Sequence, residues 1–159
     1  MSILLLGKDG QVGWQLQRSL APHGEVVALG RSECDLTDLD GLRSIVRQMK
    51  PGVIVNASAY TAVDRAESEP DLALRVNGAA PGALAEEAAL LGALLIHYST
   101  DYVYDGCKAD SYVERDSVNP QSVYGRSKLA GEEAIRAARF KSVIFRTRWI
   151  FGARGGNFV

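Results

Sequence analysis

Five short apolar runs recur along the chain: ILLLG (3–7), VVALG (26–30), VIVNAS (53–58), LLIHYS (94–99) and SVIFRT (142–147). Most are continuously apolar and do not alternate, as expected of strands covered on both faces of a parallel sheet. Between them the apolar residues keep a helical rhythm. Val12, Leu16 and Leu20 make one stripe, and Leu39, Leu42, Val46 and Met49 a second. Ala73, Val76, Ala80, Leu84, Ala88 and Leu91 make a third, and Val123, Ala130, Ala134 and Ala138 mark a last helix. Such alternation implies right-handed crossovers. It predicts an α/β fold: a doubly wound, Rossmann-like parallel sheet with helices on both faces, about six strands in the order 3-2-1-4-5-6. No repeat, low-complexity tract or linker interrupts the 159 residues, so one domain over 1–159 is expected.

The net charge of −1 provides no basic field to draw nucleic acid or an anionic membrane surface. Met1-Ser2 leads straight into a strand-like run without the basic start of a signal peptide, and no apolar stretch nears the ~20 residues of a spanning helix. A cytoplasmic protein is expected. Cys34 and Cys107 lie far apart and outside any metal-ligand spacing, which predicts idle thiols and no metal site.

The segment GKDGQVG (7–13) follows the first strand and opens a helix. Gly7, Gly10 and Gly13 could serve only a tight turn. In a doubly wound sheet, however, this turn faces the ligand crevice, and glycines there let backbone N–H groups approach a pyrophosphate. The spacing is G-x-x-G-x-x-G, not G-x-G-x-x-G, so position in the fold carries the case for a dinucleotide phosphate. After the second strand the sequence reads ALGRSECDLTD. Gly30 stands where an acid would bind an adenosine ribose, and Arg31 follows. Its guanidinium could fork onto a 2′-phosphate, or be an ordinary solvated arginine. DLTD can lay Asp35 and Leu36 against an adenine.

YGRSK places Tyr124 and Lys128 four apart, on one helix face. A phenol is a poor acid at neutral pH unless a cation stabilises its anion, and an ammonium one turn away can do so. The plain alternative is an exposed helix pair. STDYVYDG (99–106) ends the fourth strand, where Ser99 or Thr100 can donate a hydrogen bond to a substrate carbonyl. The polar stretch 105–121 that follows is predicted to be an irregular functional loop.

With GKDGQVGWQLQRSL, VIVNASAYTAVDRAESEP, VN (76–77), IHYSTDYVYDG, VYGRSKLAGE and FRTRWIFG together, the chain resembles the extended short-chain dehydrogenase/reductase family. The resemblance is closest to its dTDP-4-dehydrorhamnose reductases and covers essentially every residue. It implies reduction of the 4-keto group of dTDP-4-dehydrorhamnose by NADPH, with NADH also usable, in nucleotide-sugar and cell-surface polysaccharide biosynthesis. It implies cofactor phosphates on Gly10, Gln11 and Val12, adenine at Asp35 and Leu36, and the inner ribose along Ala59, Tyr60 and Thr61. It makes Thr100, Tyr124 and Lys128 the catalytic set and points Asp101 and Trp149 toward the sugar nucleotide. Gly30-Arg31 departs from members with an acid after strand two, which argues against NADH preference. Chains of the family continue past GNFV (156–159), so residues 1–159 are expected to be a dinucleotide-binding domain with most of its substrate pocket absent, inactive alone and prone to form a homo-oligomer.

Other readings stay open. A nucleotide-sugar dehydratase would carry Asp-Glu after the threonine, whereas Tyr102 follows Asp101 here. A non-catalytic dinucleotide-binding regulatory subunit, or another nucleotide-sugar reductase or epimerase, are the remaining alternatives. His23, His97 and Trp14 read as ordinary surface, strand and packing residues. Asn77 could hold its helix near the site through backbone bonds or simply pack there, and the resemblance implies the former.

Overall fold

The structure is a computed structural model and describes residues 1–152. Strand β1 (Ser2–Leu6) runs into helix α1 (Gln11–Leu20), and β2 (Glu25–Leu29) into α2 (Leu39–Met49). Strand β3 (Val53–Asn56) is followed by the short helices α3 (Val63–Ala66) and α4 (Pro70–Leu74). A π turn (Arg75–Ala79) joins α4 to α5 (Ala80–Leu91). Then come β4 (Leu94–Thr100), a 3₁₀ turn (Asp101–Val103), α6 (Val123–Ala137) and β5 (Ser142–Thr147). The polar stretch between Tyr104 and Ser122 holds neither helix nor strand.

All strand pairs are parallel, and the order is β2-β1-β3-β4-β5. The doubly wound sheet is as expected, but its order is not 3-2-1-4-5-6. Among the described residues no strand lies outside β2, and the sheet has five strands. From β2 the polar, turn-rich segment 30–38 leads directly to α2, and the packing of α2 carries the chain back across β1 to β3. The strand direction of travel thus reverses between β1 and β3, and that is where a ligand crevice opens.

β1 is buried on both faces. Ile3 and Leu5 pack with Val53, Val55, and Leu16 and Leu20 of α1. Leu4 and Leu6 pack with Ile54, Leu95 and the apolar stripes of α2, α5 and α6. α5 is rich in alanine, so it fits closely beneath the sheet with Ala80, Ala83, Ala85 and Ala88 all buried. Beyond α1 the same face carries Val143 and Phe145 of edge strand β5, which are 39% and 47% exposed.

The π turn has an identifiable cause. Pro81 has no N–H for the Asn77 carbonyl four residues back, and its ring crowds that group. The helix widens instead, and the Ala80 N–H bonds to the Arg75 carbonyl.

Candidate active site

The C-terminal ends of β1, β3 and β4 open on a cleft of about 680 Å³, a size typical of cofactor sites. Its wall includes Gly7, Gly10, Gln11 and Val12 from the first turn, and Arg31, Asp35 and Leu36 beyond β2. Ala59, Tyr60 and Thr61 follow β3, and Tyr124 and Lys128 come from α6. Residues from four separate stretches of sequence thus share one cavity.

The glycines divide by what requires them. Gly7 has φ +89°, and a Cβ there would stand 2.8 Å from the Ala57 carbonyl carbon. A Cβ at Gly13, which is buried and outside the cleft wall, would run into the Gly7 carbonyl. Packing alone demands both. Gly10 is different: φ is −78°, and an added Cβ would meet only the Gly7 carbonyl oxygen at 3.5 Å. Its missing side chain leaves open space at the N-terminus of α1, where backbone N–H groups lack helical acceptors. This is a cradle that a side chain would fill.

At the β2 end the Gly30 N–H donates to Glu33 Oε2 at 2.8 Å, and Lys8 pairs with the same carboxylate. An acid therefore does reach this strand end, from three residues downstream. Arg31 is 81% exposed and lies 3.6 Å from Asp35 Oδ2. Leu36 is buried, while the Asp35 carboxylate also accepts from the Thr37 N–H. That backbone bond, with Arg31, holds Asp35 below the usual carboxylate range.

The Tyr60 segment is held by Asn77, a residue of the π turn that is 1% exposed. Asn77 Oδ1 accepts from the Tyr60 N–H, and Nδ2 donates to the Tyr60 carbonyl, both at 2.9 Å. Nδ2 also reaches Ser127 Oγ at 3.0 Å, and Ser127 Oγ donates to the Tyr124 carbonyl at 2.7 Å. The cleft wall and the helix carrying Tyr124 are thus tied through one amide, which agrees with the tether read from the sequence. α6 begins at Ser122, whose hydroxyl accepts from the Gly125 N–H, and Glu67 accepts from the Val123 N–H. Gly125 lets this first turn press on the Tyr102 carbonyl, where a Cβ would collide.

Tyr124 meets Tyr102 edge-on at 5.6 Å. Its phenol is pushed above the ordinary value by burial, while a hydrogen bond with Thr100 pulls the other way. The expected lowering by Lys128 is not what this structure has. Lys128, 1% exposed, directs Nζ to the Tyr98 carbonyl at 2.7 Å and stands 3.4 Å from His97 Nε2. Burial brings it down from 10.5 to about 8.

Thr100 is buried and outside the cleft wall, its Oγ1 accepting from the Tyr102 N–H and donating to Asp101 Oδ1. Asp101 pairs with Arg148 at 3.2 Å, and Arg148 lies over the Trp149 ring. Asp101 and Trp149 are thus linked through Arg148, but neither lines the cleft; Trp149 is 59% exposed and at φ +50°. Cys34 and Cys107 are free. Among the described residues no cluster could hold a metal ion, and no helix is long and apolar enough to cross a membrane.

The family model for the RmlD substrate binding domain matches residues 1–159, the whole chain. The chain belongs to this family. A dTDP-4-dehydrorhamnose reductase of Burkholderia thailandensis is 52% identical over 100% of this chain and 53% of its own length. The crystal structure of a dTDP-4-dehydrorhamnose reductase from Clostridium acetobutylicum superposes with TM-score 0.95 at 40% identity, over 99% of this chain and 56% of that one. A Bacillus anthracis dTDP-4-dehydrorhamnose reductase, solved in complex with NADP, gives 0.94 at 35% identity over 99% of this chain and 56% of that one. The chain spans about half the length of the curated relatives it matches.

Within this RmlD-type domain several cleft residues escaped the sequence reading: Ser58, Val76, Tyr98 and Thr147 all line the cavity. Their strand-end and helix positions were visible, but nothing in their spacing marks them. Lys8 and Glu33 were equally silent, since their pairing depends on β1 and β2 lying side by side.

Proposed function

We propose that this chain is the cofactor-binding, proton-delivering half of an NADPH-dependent oxidoreductase. Its reaction is reduction of the 4-keto group of dTDP-4-dehydrorhamnose to dTDP-L-rhamnose, in nucleotide-sugar biosynthesis. The observation that carries the reading is that Tyr124 and Lys128 stand in the wall of the same cleft as the α1 glycine loop. The names of the relatives supply the sugar.

A dinucleotide fits the residues present. Gly10, Gln11 and Val12 would hold its phosphates, Asp35 and Leu36 its adenine, and Ala59, Tyr60 and Thr61 its inner ribose. Arg31, exposed beside Asp35, would meet a 2′-phosphate, which favours NADPH over NADH. When bound, the dinucleotide supplies the hydride. Tyr124 holds a proton at its phenol oxygen, kept there by burial, and delivers it to the developing alkoxide. The Thr100 hydroxyl would favour the tyrosinate that forms. Lys128 binds ribose hydroxyls, and in its ammonium form it stabilises the tyrosinate left behind. Asp101 and Trp149, joined through Arg148, would meet the sugar nucleotide. The remaining contacts would come from the half of the relatives that this chain does not span. Retention of both Tyr124 and Lys128 argues against a non-catalytic regulatory subunit. Cytoplasmic residence suits this chemistry, and the exposed Val143 and Phe145 suit self-association.

The test is NADPH oxidation by the full-length protein with dTDP-4-dehydrorhamnose, alongside NADPH fluorescence titration of residues 1–159. Turnover in the first and saturable binding in the second are expected. Binding without turnover in the full-length protein would overturn the reaction assigned.

A further inference from the structure

Lys128 ends a line of buried hydrogen bonds whose polarity can be followed group by group. The Ser58 N–H donates to Asn56 Oδ1 at 3.1 Å. That fixes the amide orientation, so Asn56 Nδ2 faces His97 Nδ1 at 3.2 Å and donates to it. Nδ1 is therefore the acceptor, and the neutral imidazole carries its proton on Nε2. Nε2 points at Lys128 Nζ across 3.4 Å, while Nζ donates to the Tyr98 carbonyl. Asn56 and His97 are fully buried.

An N–H aimed at Nζ suits an amine, which has a lone pair, and opposes an ammonium, which has none. We infer that the Asn56–His97 pair sets the charge of Lys128: the imidazole, locked with its proton on Nε2, is a positioning residue that favours the uncharged amine. Burial works in the same direction, holding Lys128 at about 8 and His97 well below its ordinary value.

The other charges nearby do not undo this. Glu132, one turn along α6, raises Lys128, but Ser99, Arg136 and Arg146 hold its carboxylate. Asp101 and Tyr102, after β4, act on Tyr124. Acids from the elements packed on α6 are turned elsewhere: Glu87 to Arg43 and Arg47, Glu69 to Tyr60 and Arg65, and Glu67 to the Val123 N–H. For the reaction proposed above, on which this consequence rests, Tyr124 needs the ammonium form. His97 then places the alkaline limit of turnover.

The chain has two histidines, so ¹⁵N NMR of the ring nitrogens is readily assigned. A protonated Nε2 and bare Nδ1 at His97 are expected from about pH 6 to 9, with no trace of the titration that a free imidazole shows near about 6.5. In His97→Gln an amide oxygen can turn to the ammonium. His97→Asn keeps an acceptor for Asn56 and, being shorter, withdraws the donor at the Nε2 position from Lys128. Both should raise the Lys128 midpoint, followed by ¹³Cε NMR, by about one pH unit, the size of one charge-assisted interaction. The alkaline limb of turnover in the full-length protein should move with it. A ring protonated on Nδ1, or a Lys128 midpoint unmoved or lowered in both variants, overturns the inference. If neither variant folds, the wild-type ring spectrum decides. A wild-type protein without turnover strikes the proposed reaction and leaves the NMR results to judge His97.

Discussion

Asn77→Ala removes the amide that joins the Tyr60 wall to the α6 helix. Three hydrogen bonds go with it: from the Tyr60 N–H, to the Tyr60 carbonyl and to Ser127 Oγ. A net hydrogen bond contributes about 1 kcal/mol, and a buried partner left unsatisfied costs more. The Tyr60 backbone is only partly buried and can turn to water, so the loss should be about 2–3 kcal/mol rather than larger. For a chain of this size that lowers Tm by about 5–10 °C in thermal unfolding followed by circular dichroism. Because Ala59, Tyr60 and Thr61 line the cleft, NADPH affinity should also fall about tenfold, or 1.4 kcal/mol, by fluorescence titration. Asn77→Asp sharpens the test. It keeps the acceptor for the Tyr60 N–H but sets a carboxylate oxygen against the Tyr60 carbonyl, so it should lose at least as much. A Tm within about 1 °C of the parent, with unchanged NADPH affinity, would refute the clamp.

Tyr124→Phe in the full-length protein should lower kcat by about 10²-fold or more while leaving NADPH affinity nearly intact; near-normal turnover would remove its role as proton donor. Arg31→Ala should weaken NADPH binding by about 1.5–3 kcal/mol and NADH binding little, and calorimetry showing equal losses would mean Arg31 does not read the 2′-phosphate. Burial pushes Glu132 up, but Arg146, Ser99 and Arg136 outweigh it, so its folded pKa lies below the ordinary 4.5. Its stabilisation is therefore complete above the unfolded value and is lost as pH falls through the folded one. Urea midpoints between pH 7 and about 3 should drop less steeply in Glu132→Gln than in the parent, from a lower start.

What the sequence made legible was whatever depends on local order. The strand–helix alternation, the glycine turn after β1 and the Tyr124–Lys128 spacing each involve residues close in the chain, and each appears where expected. Strand order is different in kind. Whether α2 carries the chain outward from β2 or back over β1 is decided by packing, and no residue in 30–38 announces it. The hydroxyl of Thr100 could be anticipated at a strand end, but not its engagement with Asp101 and Tyr102. His97 was within reach. It shares a face of β4 with Leu95 and Ser99, the face turned to α6, and only the assumption that a lone histidine is inert hid it. Pro81 was also readable, since it stands four residues after Asn77 in an otherwise helical pattern.

That proline gives the long helical segment a phase error on which the cleft depends. Each helical residue advances about 100° around the axis, so the one extra residue in the π turn offsets everything before it from everything after. α5 can therefore keep its alanines on the sheet while Asn77 points to Tyr60, two orientations that an uninterrupted helix would force to compete. Deleting one residue between Arg75 and Ala79 would remove that offset and leave the Pro81 ring against the carbonyl four residues before it. It would also turn the tether away from the loop it holds.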